Sequence, residues 1–155
     1  MKDLAIILDN IRSVHNVGSI FRTAETAGVS KIYCIGTTRT PLDRFGNKRS
    51  DFAKVALGAE DLIAWEYAES GLSLVKKLKK EGYKIIALEQ DKRSVNFKQV
   101  KFGNKSALIV GNEVGGVSKS LLKLADQIAE IPMKGKKESL NVAVATGIMV
   151  FVCSE

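Results

Sequence analysis

The chain has 155 residues, 45% of them hydrophobic, and this composition excludes an intrinsically disordered protein. Its apolar runs are shorter than the ~20 residues of a membrane-spanning helix, and the apolar stretch at residues 4–8 is too short for a signal peptide. We therefore expect a cytoplasmic protein without a membrane partner, while the formal net charge of +7 favours a polyanionic partner.

Short apolar runs alternate with helical patterns along the chain. In order they predict strand 4–8, helix 17–27, strand 31–35, strand 62–65, helix 70–81, strand 84–88, strand 107–110, a short helix between Ser118 and Asp126, strand 127–131 and helix 142–152. Segments 37–58 and 89–105 contain turn residues and charges, with a hint of a helical turn from Phe52 onwards. This alternation favours a parallel sheet with helices on both faces, so we expect a single α/β domain over residues 1–155.

The last segment, 142–152, is almost wholly apolar. A buried strand is one interpretation, but the length of the segment and its small residues favour a helix packed closely against another element. Ser139 or Asn141 could cap the start of that helix.

The basic residues are unevenly distributed. Lysines 76, 77, 79 and 80 alternate with apolar residues at helical spacing, which is typical of the solvated face of an amphipathic helix. The segment 37–58 instead combines cations that could bind phosphate with two possible stacking surfaces: Arg39, Arg44, Lys48, Arg49 and Lys54, with Phe45 and Phe52.

The cysteines and the single histidine argue against a metal site. Cys34 and Cys153 lie far apart in apolar runs, so we expect two buried free thiols. His15 has no Cys/His cluster around it in the sequence, and we therefore expect no metal.

A glycine-rich turn, residues 111–116, directly follows the predicted strand 107–110. Parallel sheets bind ligands at the carboxyl ends of their strands, where a backbone without Cβ atoms can approach a ligand closely. The turn is not a P-loop, because Val117 and Ser118 stand where lysine and a hydroxyl residue are required. A small-molecule enzyme that binds a phosphate-bearing ligand at Gly111 remains an alternative.

Three ordered stretches resemble the motifs of the SpoU (TrmH) family, which are RNA ribose 2′-O-methyltransferases of the SPOUT superfamily. The stretches are NIRSVHNVGSIFRTA at residues 10–24, IVGNEVGGVS at 109–118, and IPM at 131–133 followed by SLNVAVA at 139–145. The resemblance covers nearly the whole chain. It implies a three-layer α/β sandwich with a C-terminal trefoil knot. Many relatives carry an additional RNA-binding domain or terminal helices, whereas from the length of this chain we expect no separate RNA-binding extension.

The resemblance also implies a site. S-adenosylmethionine would bind in a pocket formed by Leu88, Gly111, Ile131, Met133 and Leu140. The catalytic arginine would be Arg22, and the other catalytic residues would be Asn16, Glu113, Ser139 and Asn141. Without the flanking motifs, the pocket residues would be interpreted as core residues and Arg22 as a surface residue of an amphipathic helix.

A guanidinium is almost always protonated, so Arg22 fits a general base poorly. We expect it to hold the RNA phosphate and stabilise the developing alkoxide. Asn16 could instead cap the helix that follows it, and Glu113 could orient loop amides or Arg22. The RNA, tRNA or rRNA, would be bound by Arg12, His15, Arg39, Arg44, Lys48 and Arg49.

The resemblance further implies a homodimer whose site lies near the interface. The apolar last helix is a candidate for that contact. A member of the family that binds RNA or S-adenosylmethionine without turnover is the alternative, although the combination of Arg22, Glu113 and Asn141 argues against it.

Overall fold

A computed structural model describes residues 2–155 of the chain. The strands are β1 (Asp3–Asp9), β2 (Lys31–Ile35), β3 (Ala64–Ala68), β4 (Lys84–Leu88), β5 (Val95–Asn96), β6 (Lys105–Gly111) and β7 (Gln127–Glu130). The helices are α1 (Val14–Thr26), α2 (Ser50–Ala56), α3 (Ala59–Leu62), α4 (Gly71–Lys80), α5 (Lys119–Leu124) and α6 (Val142–Ser154). The strands form one sheet in the order β3-β2-β1-β6-β4-β7-β5, and each of its strand pairings is parallel.

The sheet is covered on both faces. Alternate residues of β1 belong to two separate cores, as the two-residue period of a strand requires. Ile6 and Leu8 pack with residues of α1, α2, α3 and α6, whereas Ile7 packs with residues of α4 and α5. The predicted α/β fold with a parallel sheet and three layers is therefore confirmed. The trefoil knot stays a prediction.

Helix α1 begins three residues earlier than the sequence pattern indicates. Ser13 is its N-cap, and the Ser13 Oγ accepts a hydrogen bond from the Asn16 backbone N–H at 3.1 Å. The hypothesis that Asn16 caps this helix is therefore wrong. Asn16 lies in the first turn with its side chain 8% exposed, so its amide is free to bond across the molecule.

Three further predictions were wrong in detail. The apolar residues at 62–65 divide between α3 and β3. The connection 89–105 contains the short β5 and a 3-10 turn at Phe97–Gln99. Phe52 is fully buried in α2, with its ring 5.1 Å from the Phe21 ring in an edge-to-face arrangement, so it is a core residue and not a stacking surface for RNA.

The helical interpretation of segment 142–152 is confirmed. Asn141, and not Ser139, caps α6: its Oδ1 accepts hydrogen bonds from the Ala143 and Val144 backbone N–H groups at 2.9 and 3.3 Å. Within the part of the chain that the structure describes, no helix combines the length and the apolar character needed to cross a bilayer.

Both cysteines are buried free thiols, as predicted. Cys34 lies in β2 and Cys153 in the last turn of α6. Burial raises the pKa of each thiol to about 12, because the thiolate would lose its solvation. Neither cysteine is therefore a nucleophile at neutral pH.

Candidate functional site

The glycine turn closes on itself immediately after β6. The Gly116 N–H donates to the Asn112 carbonyl at 2.9 Å, and the Asn112 N–H donates to the Gly116 carbonyl at 3.2 Å. The Asn112 Oδ1 accepts from the Val114 and Gly115 N–H groups at 2.9 and 3.0 Å. Gly116 has φ +69°, a conformation that favours glycine. The turn is thus held in one shape by its own polar groups.

Two carboxylates from neighbouring strands hold the exit of the turn. The Glu89 Oε2, just after β4, accepts from the Val117 N–H at 2.9 Å. The Asp9 Oδ2, at the end of β1, accepts from the N–H and the hydroxyl of Ser118 at 2.7 and 2.6 Å. Asp9 is only 3% exposed, so this charge-assisted pair is shielded from water. The turn is therefore fixed to the strands on both sides of β6.

The opposite wall is the segment that leads from β7 to α6. It contributes Ile131, Met133, Ser139 and Leu140, and the Gln90 side chain ties it to β4 by donating to the Glu138 carbonyl at 2.7 Å. Between this wall and the glycine turn lies a cavity of about 530 Å³, which we call the first cavity. Its volume is within the range of ~300–1,000 Å³ typical of small-ligand sites.

All five residues of the predicted cofactor pocket line the first cavity, and so do three of the predicted catalytic residues. The pocket residues are Leu88, Gly111, Ile131, Met133 and Leu140, and the catalytic candidates are Glu113, Ser139 and Asn141. These residues come from three different strand ends and were brought together by the parallel sheet. The sequence pattern and the geometry thus point to the same place.

Asn16 connects the two walls. Its Nδ2 donates to the Glu113 Oε1 at 3.0 Å, and its Oδ1 accepts from the Asn141 Nδ2 at 3.1 Å. Glu113 therefore orients Asn16, and it has no hydrogen bond to Arg22. Glu113 and Asn141 are 97 and 125 positions from Asn16 along the chain, and the three residues form one hydrogen-bonded trio beside the cavity.

Arg22 does not line the first cavity. It is exposed on α1 and lines a second cavity of about 540 Å³, together with His15, Lys54, Leu57 and Phe151. Arg22 is six residues beyond Asn16, which corresponds to about 9 Å along the helix axis. Within one chain, the structure does not bring Arg22 to the first cavity.

The other predicted RNA-binding residues are exposed except for the half-buried Arg49: Arg12, His15, Arg39, Arg44 and Lys48. The Arg39 Nε donates to the Arg12 carbonyl at 3.2 Å, so the two residues are neighbours. Lys48 and Arg49 have acidic neighbours, Asp61 at 3.5 Å and Asp51 at 3.1 Å. Such exposed ion pairs contribute little free energy, so both cations can exchange these partners for phosphate.

Sequence reasoning missed Glu89 and Gln90, which both line the first cavity. Both residues begin segment 89–105, which the sequence pattern predicts to be a polar connection. The signal that could have identified them is their position directly after a buried strand, at the carboxyl edge of a parallel sheet. Glu130 and Glu138 also line this cavity, so four carboxylates face it.

Comparison with known proteins assigns a family. The family model described as the SpoU rRNA Methylase family matches residues 3–151. The chain is 33% identical over 150 residues to the tRNA (guanosine(18)-2′-O)-methyltransferase of Aquifex aeolicus, a match that covers 97% of this chain and 68% of that protein. The corresponding Escherichia coli enzyme is 28% identical over 96% of this chain, which spans 62% of its length.

Comparison with solved structures supports the same family assignment. The A. aeolicus TrmH/SpoU tRNA modifying enzyme superposes with a TM-score of 0.86 at 31% identity, covering 99% of this chain and 75% of that one. An AdoMet-bound rRNA methyltransferase from Sinorhizobium meliloti superposes with a TM-score of 0.88 at 29% identity, covering 97% of this chain and 55% of that one. This chain therefore spans roughly half to three quarters of the proteins that it resembles.

Proposed function

The chain belongs to the SpoU rRNA methylase family, and from this premise we propose that it transfers a methyl group from S-adenosylmethionine to a ribose 2′-hydroxyl of tRNA or rRNA. The observation that carries the proposal is the trio of Asn16, Glu113 and Asn141, which joins the glycine turn to the start of α6 beside a cavity of suitable volume. Relatives named as tRNA and rRNA guanosine 2′-O-methyltransferases support the same reaction.

The residues of the first cavity fit S-adenosylmethionine. Leu88, Ile131, Met133 and Leu140 offer apolar contact for a flat adenine, and neighbouring backbone groups can meet the polar edge of the ring. A Cβ at Gly111 would collide with backbone atoms of Val117 and Gly116, so the glycine allows the turn to close on itself beside the cavity. The four carboxylates suit the positive charges of the sulfonium and ammonium groups.

When bound there, S-adenosylmethionine supplies an electrophilic methyl group that needs no further activation. The protein must align the attacking 2′-oxygen within about 3–3.5 Å of the methyl carbon. Because Asn16 is fixed by Glu113 and Asn141, it is suited to positioning the ribose beside the cavity. As the bond from the 2′-oxygen to the methyl carbon forms, the bond from that carbon to sulfur would break, with its electron pair left on the departing thioether, and the hydroxyl proton would pass to water or to an RNA phosphate oxygen.

Arg22 binds the phosphate of the target nucleotide and stabilises the developing negative charge on the 2′-oxygen in this proposal. Its guanidinium stays protonated and donates several hydrogen bonds in one plane, a geometry that matches phosphate. Lys54 lines the same cavity and adds to its positive charge, and His15 adds a further hydrogen-bonding group.

Because Arg22 faces the second cavity, we include a homodimer in the proposal. Helix α6 carries no charged side chain, yet Val144 is 53% exposed and Phe151 is 48% exposed. Leu57, which is 62% exposed, lies with Phe151 around the second cavity. A second copy that covers these apolar residues would bring its own first cavity to Arg22.

The basic test is methyl transfer. The purified chain is incubated with methyl-labelled S-adenosylmethionine and either total tRNA or ribosomal RNA, and the product nucleosides are separated by mass spectrometry. We expect label only in 2′-O-methylated nucleosides. Label in a base, or saturable binding of S-adenosylmethionine without transfer to either RNA, would contradict the proposal.

A mixed dimer tests the shared site. One subunit carries Arg22→Ala and the other Gly111→Ala, and two affinity tags allow the heterodimer to be purified. If Arg22 acts on the cavity of the other subunit, one of the two sites is intact and about half of the wild-type rate returns. If Arg22 acts within its own chain, both sites are defective and the heterodimer is as inactive as the two parental dimers.

A further inference from the structure

The connection between β2 and α2 contains a short braced hairpin at residues 41–49, which we call the 41–49 loop. Its base is closed by a bridge between Leu42 and Lys48 and by the Arg49 N–H, which donates to the Pro41 carbonyl at 2.9 Å. Its tip is held by Asp43, whose Oδ1 accepts from the Phe45 and Asn47 N–H groups at 2.8 and 2.9 Å. The tip therefore has a defined conformation before any partner binds.

Phe45 stands at that tip with 74% of its surface exposed. The Arg44 guanidinium carbon lies 4.8 Å from the centroid of the Phe45 ring, and no other cation–aromatic contact of the loop accompanies it in the described residues. A single exposed apolar residue is common on a protein surface. An aromatic ring fixed at a braced tip and stacked with an arginine is the arrangement that proteins use to hold unpaired bases.

The surroundings of Phe45 are positively charged. Arg12, Arg39 and Arg44 have no acidic partner within residues 2–155, and Lys48 and Arg49 have only exposed ones. This charge is complementary to a phosphate backbone and disfavours insertion of the ring into the apolar face of another protein.

The loop is also attached to the proposed active site. The Thr38 hydroxyl donates to the Leu8 carbonyl at 2.7 Å and accepts from the Ile11 N–H at 3.0 Å, and the Arg39 N–H donates to the Ile11 carbonyl at 3.1 Å. The same β1–α1 connection receives the Asn112 Nδ2, which donates to the Asn10 carbonyl at 2.7 Å. The segment that directly precedes the 41–49 loop and the glycine turn are thus anchored to one connection.

From these contacts we propose that Phe45 stacks on an unpaired base of the RNA substrate, while Arg39 and Arg44 hold the adjoining phosphates. The inference rests on the proposed function, because the proposed function identifies the bound polyanion as RNA. It adds that the chain recognises a single-stranded position through an aromatic platform, and not through charge alone.

The test compares two labelled RNA probes of equal length, a hairpin with an unpaired loop and a fully paired duplex, by fluorescence anisotropy. Phe45→Ala should weaken hairpin binding by about 10-fold and leave duplex binding unchanged, because stacking acts only on an accessible base. Phe45→Trp should restore hairpin binding and show quenched tryptophan fluorescence with the hairpin. Arg44→Ala is the charge control, and it should weaken both probes and reduce the salt dependence of binding.

The outcomes separate this inference from the proposed function. If Phe45→Ala leaves hairpin binding unchanged, or weakens both probes equally, the stacking inference is wrong while methyl transfer by the wild-type chain can still be observed. If the wild-type chain binds RNA but transfers no methyl group, the proposed function fails and the effect of Phe45 on binding still decides the inference. A wild-type chain that binds neither probe overturns both.

Discussion

The two cavities of this molecule have nearly the same volume but opposite charge. Four glutamates line the first cavity, and none of the described residues around it is Lys or Arg. His15, Arg22 and Lys54 line the second, and no carboxylate is present among its described lining residues. The first cavity therefore suits a cationic methyl donor and the second suits a phosphate.

The cavities also differ in how complete they are. The walls of the first come from one chain and are joined by the hydrogen bonds of Asn16. The second is open and bordered by the exposed Leu57 and Phe151. In helix α1, Asn16 joins the two walls of the first cavity, and Arg22 lines the second. In the proposed function, one chain is therefore sufficient for donor binding, and a second copy completes the reaction site.

Substitution at the glycine turn should have the largest effect. Gly111→Ala places a Cβ against Val117 and Gly116, so we expect S-adenosylmethionine affinity to fall by about 100-fold or more, measured by calorimetry. Gly115→Ala is the matched control, since its Cβ would lie 3.9 Å from the Asn112 Oδ1 and should change affinity little. Equal effects of the two substitutions would show that the first cavity is not the donor site.

Arg22→Ala should separate the two cavities. We expect kcat to fall by about 100-fold or more, because a preorganised positive charge is lost from the developing alkoxide. S-adenosylmethionine affinity should stay within about twofold, since Arg22 does not line the first cavity. Arg22→Lys should retain part of the RNA affinity but little of kcat. Full activity of Arg22→Lys in a steady-state assay would contradict the proposed role.

Asn16→Ala should affect the connection between the two walls of the first cavity. It removes the hydrogen bonds to Glu113 and Asn141, and we expect kcat to fall by about 10-fold with a smaller change in donor affinity. Single-turnover rates and donor titrations would measure the two effects. The control is Lys76→Ala on the exposed side of α4, which should change neither.

Phe151→Glu should act on the second cavity alone. A carboxylate at this exposed position would oppose burial against a second copy and raise the dimer dissociation constant by about 10-fold or more. Sedimentation velocity over a dilution series would measure the shift, and donor binding should be unaffected. A wild-type chain that remains monomeric at micromolar concentration would remove the basis of the shared site.

The smallest effect is expected far from both cavities. Hydrogen bonds from the Ser30 hydroxyl and the Tyr83 hydroxyl hold the pKa of Asp3 below its usual range. The ionised carboxylate therefore stabilises the fold above its unfolded-state pKa, and this contribution disappears as the pH falls through the lower folded-state pKa.

Asp3→Asn should accordingly lower the melting temperature by a few degrees at pH 7 and by less at pH 3, with methyl transfer unchanged at pH 7. Thermal unfolding of both chains over this pH range measures the difference. A gap in melting temperature that widens towards acid would contradict the assignment.

Much of the first cavity could be anticipated because local patterns specify it. Each of its walls follows a buried strand, and parallel strands bring their carboxyl ends to one edge of the sheet. Glu89 was missed because its partner, the Val117 N–H, is 28 residues away and no local pattern connects them. Phe52 was misplaced because segment 37–58 has weak periodicity, and only packing against Phe21 buries it.

The position of Arg22 could not be obtained from spacing within one chain. Helical periodicity places Arg22 on the exposed side of α1, and no local pattern connects that side to the first cavity. The same reasoning applies to the exposed residues of α6, whose apolar sequence predicts burial that a single copy provides only in part.

The all-parallel sheet has a consequence for how the polypeptide folds. Asp3 in β1 aligns with Lys105 in β6, so the central strand pair closes a loop of about one hundred residues. β1 also pairs with β2, where Ala5 aligns with Lys31, so this local pair can form before the distant one. Contacts of such long sequence separation slow folding, so we expect the β1–β6 pair to form late and to limit the rate at which the sheet is completed.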